Sequence, residues 1–224
     1  MNLTTKTTNT IPPSVTRKGY LKLPEWMAYF LSPQSLIIVR EISRTLKRNQ
    51  KRPYSDITNL QLANRCGMSV QTVNRILVRL DQAAYIQRWP YQATDERKRR
   101  KIYFKNMRVK REQKLHGRSF LEVLNAKCFK DSKRIEWSRM ATDDWLEWIP
   151  IPHDIGNSKD LKVYSVLVGQ HMRGRTVIRL SDRQISAITN MDREVVADSI
   201  GHLANDGYIV VKSENRRSRN IEFL

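Results

Sequence analysis

Cysteine is almost missing from this chain: Cys66 and Cys128 are the only two among 224 residues. They stand far apart and neither belongs to a C-x-x-C pair, which argues against a disulfide framework or a cysteine-based zinc site. Cys66 reads instead as a small apolar packing residue. No apolar run approaches the length of a bilayer span and no signal peptide opens the sequence, so a soluble, cytoplasmic protein with no membrane partner is expected. The G-x-x-x-x-G-K-[ST] and G-x-G-x-x-G phosphate-binding patterns are absent too. The four histidines (His116, His153, His171, His202) are isolated, without the pairing a metal or a general base requires. Asp143, Asp144 and Glu147 form an acidic spot beside tryptophans, explained most simply as a helix terminus or a solvated turn. Neither an enzyme, nor a metal site, nor a cofactor is expected. Acidic residues are also scarce, 22 against 41 basic ones, leaving a net charge of +19. Such an excess repels itself unless a polyanion is the partner, and nucleic acid is the first candidate.

What the chain does contain is a repeat. Residues 58–86 align without a gap, at an offset of 123, to residues 181–209. Six positions are identical: Gln61/Gln184, Met68/Met191, Val73/Val196, Leu80/Leu203, Tyr85/Tyr208 and Ile86/Ile209. These fall on caps, core positions and the exit into the next strand, so a supersecondary unit has been copied.

Each copy opens with a capping box, Thr58-x-x-Gln61 or Ser181-x-x-Gln184, that starts a helix. Gly67-Met68 and Asn190-Met191 supply a left-handed break. A second helix follows, with Val73, Ile76, Leu77 and Leu80 at helical spacing in copy one and Val196, Ile200 and Leu203 in copy two. The pattern then changes to extended runs over 85–89 and 101–104, and over 208–212 and 220–223, around the polar loops 91–100 and 213–219. An earlier helix is predicted over 35–46 from Leu36, Ile37, Val39, Ile42 and Leu46. Residues 1–19, with three basic and no acidic residues, read as a disordered basic arm. Residues 20–105 and 150–224 are the two expected domains, joined by a partly helical connector over 106–149. The segment Leu146-Glu147-Trp148 also echoes Pro24-Glu25-Trp26, which suggests that the repeat includes a lead-in.

A helix-turn-helix followed by a β-hairpin resembles the winged-helix family, over roughly two thirds of the chain. The resemblance implies an α+β fold, mainly α with small β-hairpins, as two tandem winged-helix domains. It also implies that the second helix of each unit enters the major groove while the hairpin wing follows the backbone or minor groove. Turning 100° per residue from the buried Val73 leaves Gln71, Arg75, Val78 and Gln82 outward, flanked by Thr72, Asn74 and Arg79. Gln and Asn pair with adenine and Arg with guanine, so Gln71, Asn74 and Arg75 are the candidate base readers. Ser69, Thr72 and Arg79 suit phosphate contacts. The wing run Arg97, Lys98, Arg99, Arg100 and Lys101 adds cations, though alternation along a strand lets only about three meet one phosphate row.

Copy two departs where recognition would occur. The offset carries Gln71 to Glu194 and Arg75 to Asp198, with Asp192 opening the same helix. Carboxylates facing a phosphate-lined groove are repelled. Residues 20–105 hold 17 basic and 6 acidic residues (+11), whereas 150–224 hold 11 and 9 (+2). The first domain is therefore the expected DNA reader. The second retains wing cations Arg216, Arg217 and Arg219 for backbone contact, and Asp192, Glu194 and Asp198 as a candidate interface for a protein partner or a second copy. One basic surface of that kind is the connector cluster Arg108, Lys110, Arg111 and Lys114.

The expected function is sequence-specific binding of double-stranded DNA, with nucleoid-associated localisation. Replication initiators of plasmid or phage type, which often carry two such domains and bind repeated origin sites, fit this pattern. Transcriptional regulators share the fold and fit as the alternative. RNA binding or a protein-adaptor role is the third class, for which Trp89, Tyr91 and Tyr103 are the aromatic candidates.

Overall fold

The helix pair of each repeat is built by its own caps. In the computed structural model, which describes residues 11–12, 19–83, 85–89, 101–104, 114–115, 118–119, 148–215 and 218–224, α3 (Asn59–Cys66) opens on the reciprocal capping box. Thr58 Oγ1 accepts from the Gln61 amide at 3.1 Å, and Gln61 Oε1 accepts from the Thr58 amide at 2.9 Å. Gly67 ends the helix in the left-handed region, φ 61°, where a side chain costs free energy. The chain then turns into α4 (Val70–Gln82), capped by Ser69, whose Val73, Ile76, Leu77 and Leu80 are buried as expected.

The second repeat reproduces this geometry with different residues. Ser181 and Gln184 form the box that starts α6 (Asp182–Thr189). Asn190 takes the left-handed turn at φ 57°, the only non-glycine residue with positive φ among those described. Then α7 (Arg193–Asn205) buries Val196, Ile200 and Leu203. Asparagine tolerates that region because its short polar side chain can bond locally.

Hairpins follow both pairs. In the first, β2 (Ile86–Trp89) pairs antiparallel with β3 (Lys101–Phe104). A single bridge between Ser55 and Ile102 stands where a third strand would lie. In the second, β7 (Ile178–Leu180), β8 (Ile209–Asn215) and β9 (Ser218–Phe223) form a sheet in the order β7-β9-β8. Ser55 and Ile178 are again 123 apart and both pair with the returning strand, so the repeat extends upstream of the aligned stretch. The fold is α+β, with seven helices among the described residues and small antiparallel sheets.

The lead-in segments hold the repeats together. β1 (Tyr20–Leu23) pairs antiparallel with β6 (Ile149–Pro152). After β1 come α1 (Glu25–Phe30) and α2 (Pro33–Arg44); after β6 comes α5 (Ser158–Met172). Pro33 at the first helical position and the Ser32 cap start α2 two residues before its apolar stripe suggested. α5 lay outside the sequence-based expectations. Packed against α2, α1 and α7, it buries twelve of its fifteen residues and shows no clean polar face for periodicity to find. The echo between Pro24-Glu25-Trp26 and Leu146-Glu147-Trp148 is not a structural equivalence: Trp26 lies in α1, after its strand, whereas Trp148 precedes β6. The short pair β4 (Lys114–Leu115) and β5 (Arg118–Ser119) lies within 106–149. The rest of that stretch up to residue 147, and nearly all of the 1–19 arm, lie outside the described residues.

Several charged groups are buried at this junction with partners there. Glu25 is fully buried and ion-paired to Arg173 at 2.6 Å, and it accepts from the Tyr29 hydroxyl at 3.2 Å. Burial, followed by the Glu25 charge, pushes the Tyr29 pKa well above its ordinary value, so this hydroxyl stays protonated and keeps donating. Lys162 Nζ donates to the Leu31 carbonyl at 2.7 Å, and Arg40 donates to the Pro152 and Ile155 carbonyls. Glu25 reaches α5 because residue 169 is glycine: a β-carbon there would sit 2.6 Å from Glu25 Oε1. Gly169→Ala is therefore expected to lower stability by about 1–3 kcal/mol, the usual cost of overpacking a filled site. The midpoint of urea denaturation measures it, and an unchanged midpoint removes the junction's dependence on this close approach.

Candidate nucleic-acid interface

The outward face of α4 matches its helical spacing. Ser69, Gln71, Asn74, Arg75 and Arg79 are exposed and Thr72 is half-buried. Ser69 Oγ accepts from the Thr72 amide at 3.1 Å and donates to Thr72 Oγ1 at 2.9 Å, so both hydroxyls are already engaged at the helix start. Asn59 Nδ2 donates to Asn74 Oδ1 at 3.5 Å, a contact too long to hold the amide firmly. Gln71, Arg75 and Arg79 project from the same surface with no carboxylate partner among the described residues. The first turn of α4 carries no acidic residue, which leaves the positive end of its helix dipole available to an anion.

At the equivalent surface of α7 the electrostatics reverse. Asp192, Glu194 and Asp198 are all exposed, with Arg193 among them. Asp192 occupies the N-cap position but makes no capping hydrogen bond, and Glu194 lies in the first turn. Both carboxylates sit on the positive end of the dipole and offset it. Two cations near this helix pair are engaged within the protein: Arg219 pairs with Asp182 at 2.9 Å, and Lys212 with Glu222 at 2.8 Å. Arg219 thus starts from an ion pair that a phosphate would have to displace. Arg97, Lys98, Arg99, Arg100, Arg216 and Arg217 lie outside the described residues, as do Arg108, Lys110 and Arg111. Lys101 opens β3 and is exposed. The structure therefore brings the α4 residues to one face and sets the α7 carboxylates on the corresponding face of the other repeat.

One residue behind this surface was not singled out from the sequence. Glu41 is buried on α2, 3.0 Å from Arg40, 3.7 Å from Arg65 at the end of α3, and 3.8 Å from Arg44. Because Arg40 also binds carbonyls of the second repeat, Glu41 links the end of α3 to the inter-repeat junction. Its only sequence signal is an acidic residue inside an apolar stripe. Next to it, burial and then the Glu41 charge push the Cys66 thiol up to about 11, so it packs as a neutral group. No helix among the described residues is long and apolar enough to cross a membrane. Comparison with family models, with curated proteins and with solved structures finds no match to this chain.

Proposed function

We propose that the chain is a tandem winged-helix protein, its two units spanning residues 20–105 and 150–224, that binds double-stranded DNA sequence-specifically through the first repeat. The observation that carries this reading is the contrast between two outward faces on one scaffold: Gln71, Asn74, Arg75 and Arg79 on α4, against Asp192, Glu194 and Asp198 on α7. Amide and guanidinium groups on the first two turns of a helix match the donor and acceptor pattern of adenine and guanine in the major groove. Ser69, Thr72 and the free helix amides suit a flanking phosphate, and Lys101 with the 97–100 run supplies the wing. Affinity from these cations is set by counterion release and is salt-dependent, while the α4 side chains supply preference among sequences.

The second repeat serves a different role in this reading. Its acidic helix face suits a basic protein surface, either a partner or a second copy of this chain, and any backbone contact falls to Arg216 and Arg217, with Arg219 after release from Asp182. A repeated unit packed against the first favours a replication initiator of a mobile element, binding repeated origin sites, over an operator-binding regulator. We further propose a cytoplasmic, nucleoid-associated protein without enzymatic activity.

Selection of bound duplexes from a genomic library tests the role. Direct repeats at an origin favour the initiator, a promoter palindrome favours the regulator, and no enriched sequence rejects specific readout. On the selected site, Arg75→Ala is expected to cost about 1–3 kcal/mol and to relax preference at one base position, as measured by competition titration. For the acidic face, sedimentation is expected to show self-association that Glu194→Gln/Asp198→Asn weakens; a monomer at every concentration, free and on DNA, excludes a second copy as the partner.

A further inference from the structure

The first repeat carries a second cationic surface, on the outer side of its sheet. Ile86 and Ile102 turn into the core, so Gln87 and Tyr103, paired across the strands, face the other way. The 47–53 segment is laid back against this outer face. Its ends are closed by the Lys47–Tyr54 bridge, and Arg52 Nη2 donates to Gln87 Oε1 at 2.9 Å. Tyr54 and Tyr103 pack with centroids 5.9 Å apart, under cations: Arg52 lies 4.5 Å from the Tyr103 centroid, and Lys101 and Lys47 lie 4.8 and 5.5 Å from that of Tyr54. Arg48 and Lys51 project into solvent. Among the described residues, five cations thus share this surface with one carboxylate, Asp56, which pairs with Lys47 at 2.8 Å.

The second repeat is an internal control for what the fold itself needs here. At the offset of 123, Lys47 becomes Gln170, Arg48 becomes His171, Lys51 becomes Gly174 and Tyr54 becomes Val177, while Arg52 becomes Arg175. Strand register matches Lys101 to Asn220 and Tyr103 to Glu222. Of the five cations only Arg175 remains, and it donates to Gln170 Oε1 at 2.9 Å; Glu222 is paired with Lys212. Gln170 and His171 belong to the last turn of α5, whereas α2 ends at Arg44, before the Lys47–Tyr54 bridge; it is the helix pair and sheet of copy two that form without the charge cluster or its tyrosines. A concentration of like charge that folding does not require destabilises the free protein unless an anion neutralises it. The tyrosine ring faces are covered by cations, which argues against base stacking and for contact with phosphates.

We propose that the 47–53 segment, beside the wing residue Lys101, forms a second phosphate-backbone site on the outer sheet face, with Arg48 and Lys51 as its contacts. It engages duplex DNA beyond the base pairs that α4 reads. The site rests on the DNA-binding reading above and adds affinity without sequence preference.

The test is anisotropy of the full-length protein on a labelled random-sequence duplex through a potassium chloride titration. Arg48→Gln/Lys51→Gln is expected to reduce the log-log salt slope by roughly 2, at about 0.9 for each phosphate no longer neutralised. Affinity at low salt falls severalfold, while base preference on the selected site is unchanged. An unchanged urea denaturation midpoint of Arg48→Gln/Lys51→Gln guards against a loop-specific folding defect. An unchanged slope in Arg48→Gln/Lys51→Gln, with wild-type protein still binding duplex, overturns this site alone. Failure of the wild-type protein to bind any duplex overturns this site and the α4 reading together.

Discussion

A carboxylate with no exposed surface must be neutralised where it stands, and Glu25 is neutralised by a residue from the other repeat. Its ion pair with Arg173 crosses the junction at 2.6 Å, beside the β1–β6 pairing and the packing of α2 on α5. Removing one partner of such a pair leaves a buried uncompensated charge and costs about 3–5 kcal/mol. The helix pairs α3–α4 and α6–α7 are therefore carried on one shared core, whose buried apolar residues run from Leu23 to Ile221. Arg40 and Glu41 extend the same connection to Arg65 at the end of α3. Through these contacts the direction in which α4 presents its outer face depends on the junction as well as on its own caps.

The duplicated scaffold separates what folding requires from what it permits. Caps, left-handed turns and buried stripes recur in both copies, although glycine serves at one turn and asparagine at the other. Charge differences on outward faces include Gln71 against Glu194, Arg75 against Asp198, Lys51 against Gly174 and Tyr103 against Glu222, while those at the junction, such as Val39 against Lys162, are buried. The loss of cations from copy two occurs on both the helix and the sheet. Two of those that remain, Arg219 and Lys212, are held in ion pairs on the protein surface. Divergence on both surfaces has the same sign, as expected if one repeat meets a polyanion and the other does not.

Much of the helix-turn-helix was legible because its signals are local. Capping boxes, a glycine or asparagine break and a 3.6-residue stripe each act within a few residues, and Val73, Ile76, Leu77 and Leu80 are buried where the spacing placed them. The junction was not legible for the complementary reason. α5 is buried on nearly all sides, and β1 with β6 gain meaning only by pairing across more than a hundred residues. Glu25 and Arg173, 148 residues apart, give no local sign of each other. On the candidate site, the α4 face followed from helix geometry, whereas the tyrosine and cation cluster is assembled from the 47–54 segment and β3, which only the sheet brings together.

The central claim is that the outward residues of α4, on a scaffold that tolerates their replacement, carry DNA recognition. The most direct measurement gives copy one the residues of copy two, Gln71→Glu/Arg75→Asp, and titrates the full-length protein against its selected duplex. The account predicts loss of sequence-specific binding with an unchanged urea denaturation midpoint, since the corresponding positions of α7 carry Glu194 and Asp198 within the same fold. Binding to the selected site with wild-type affinity and preference would contradict it.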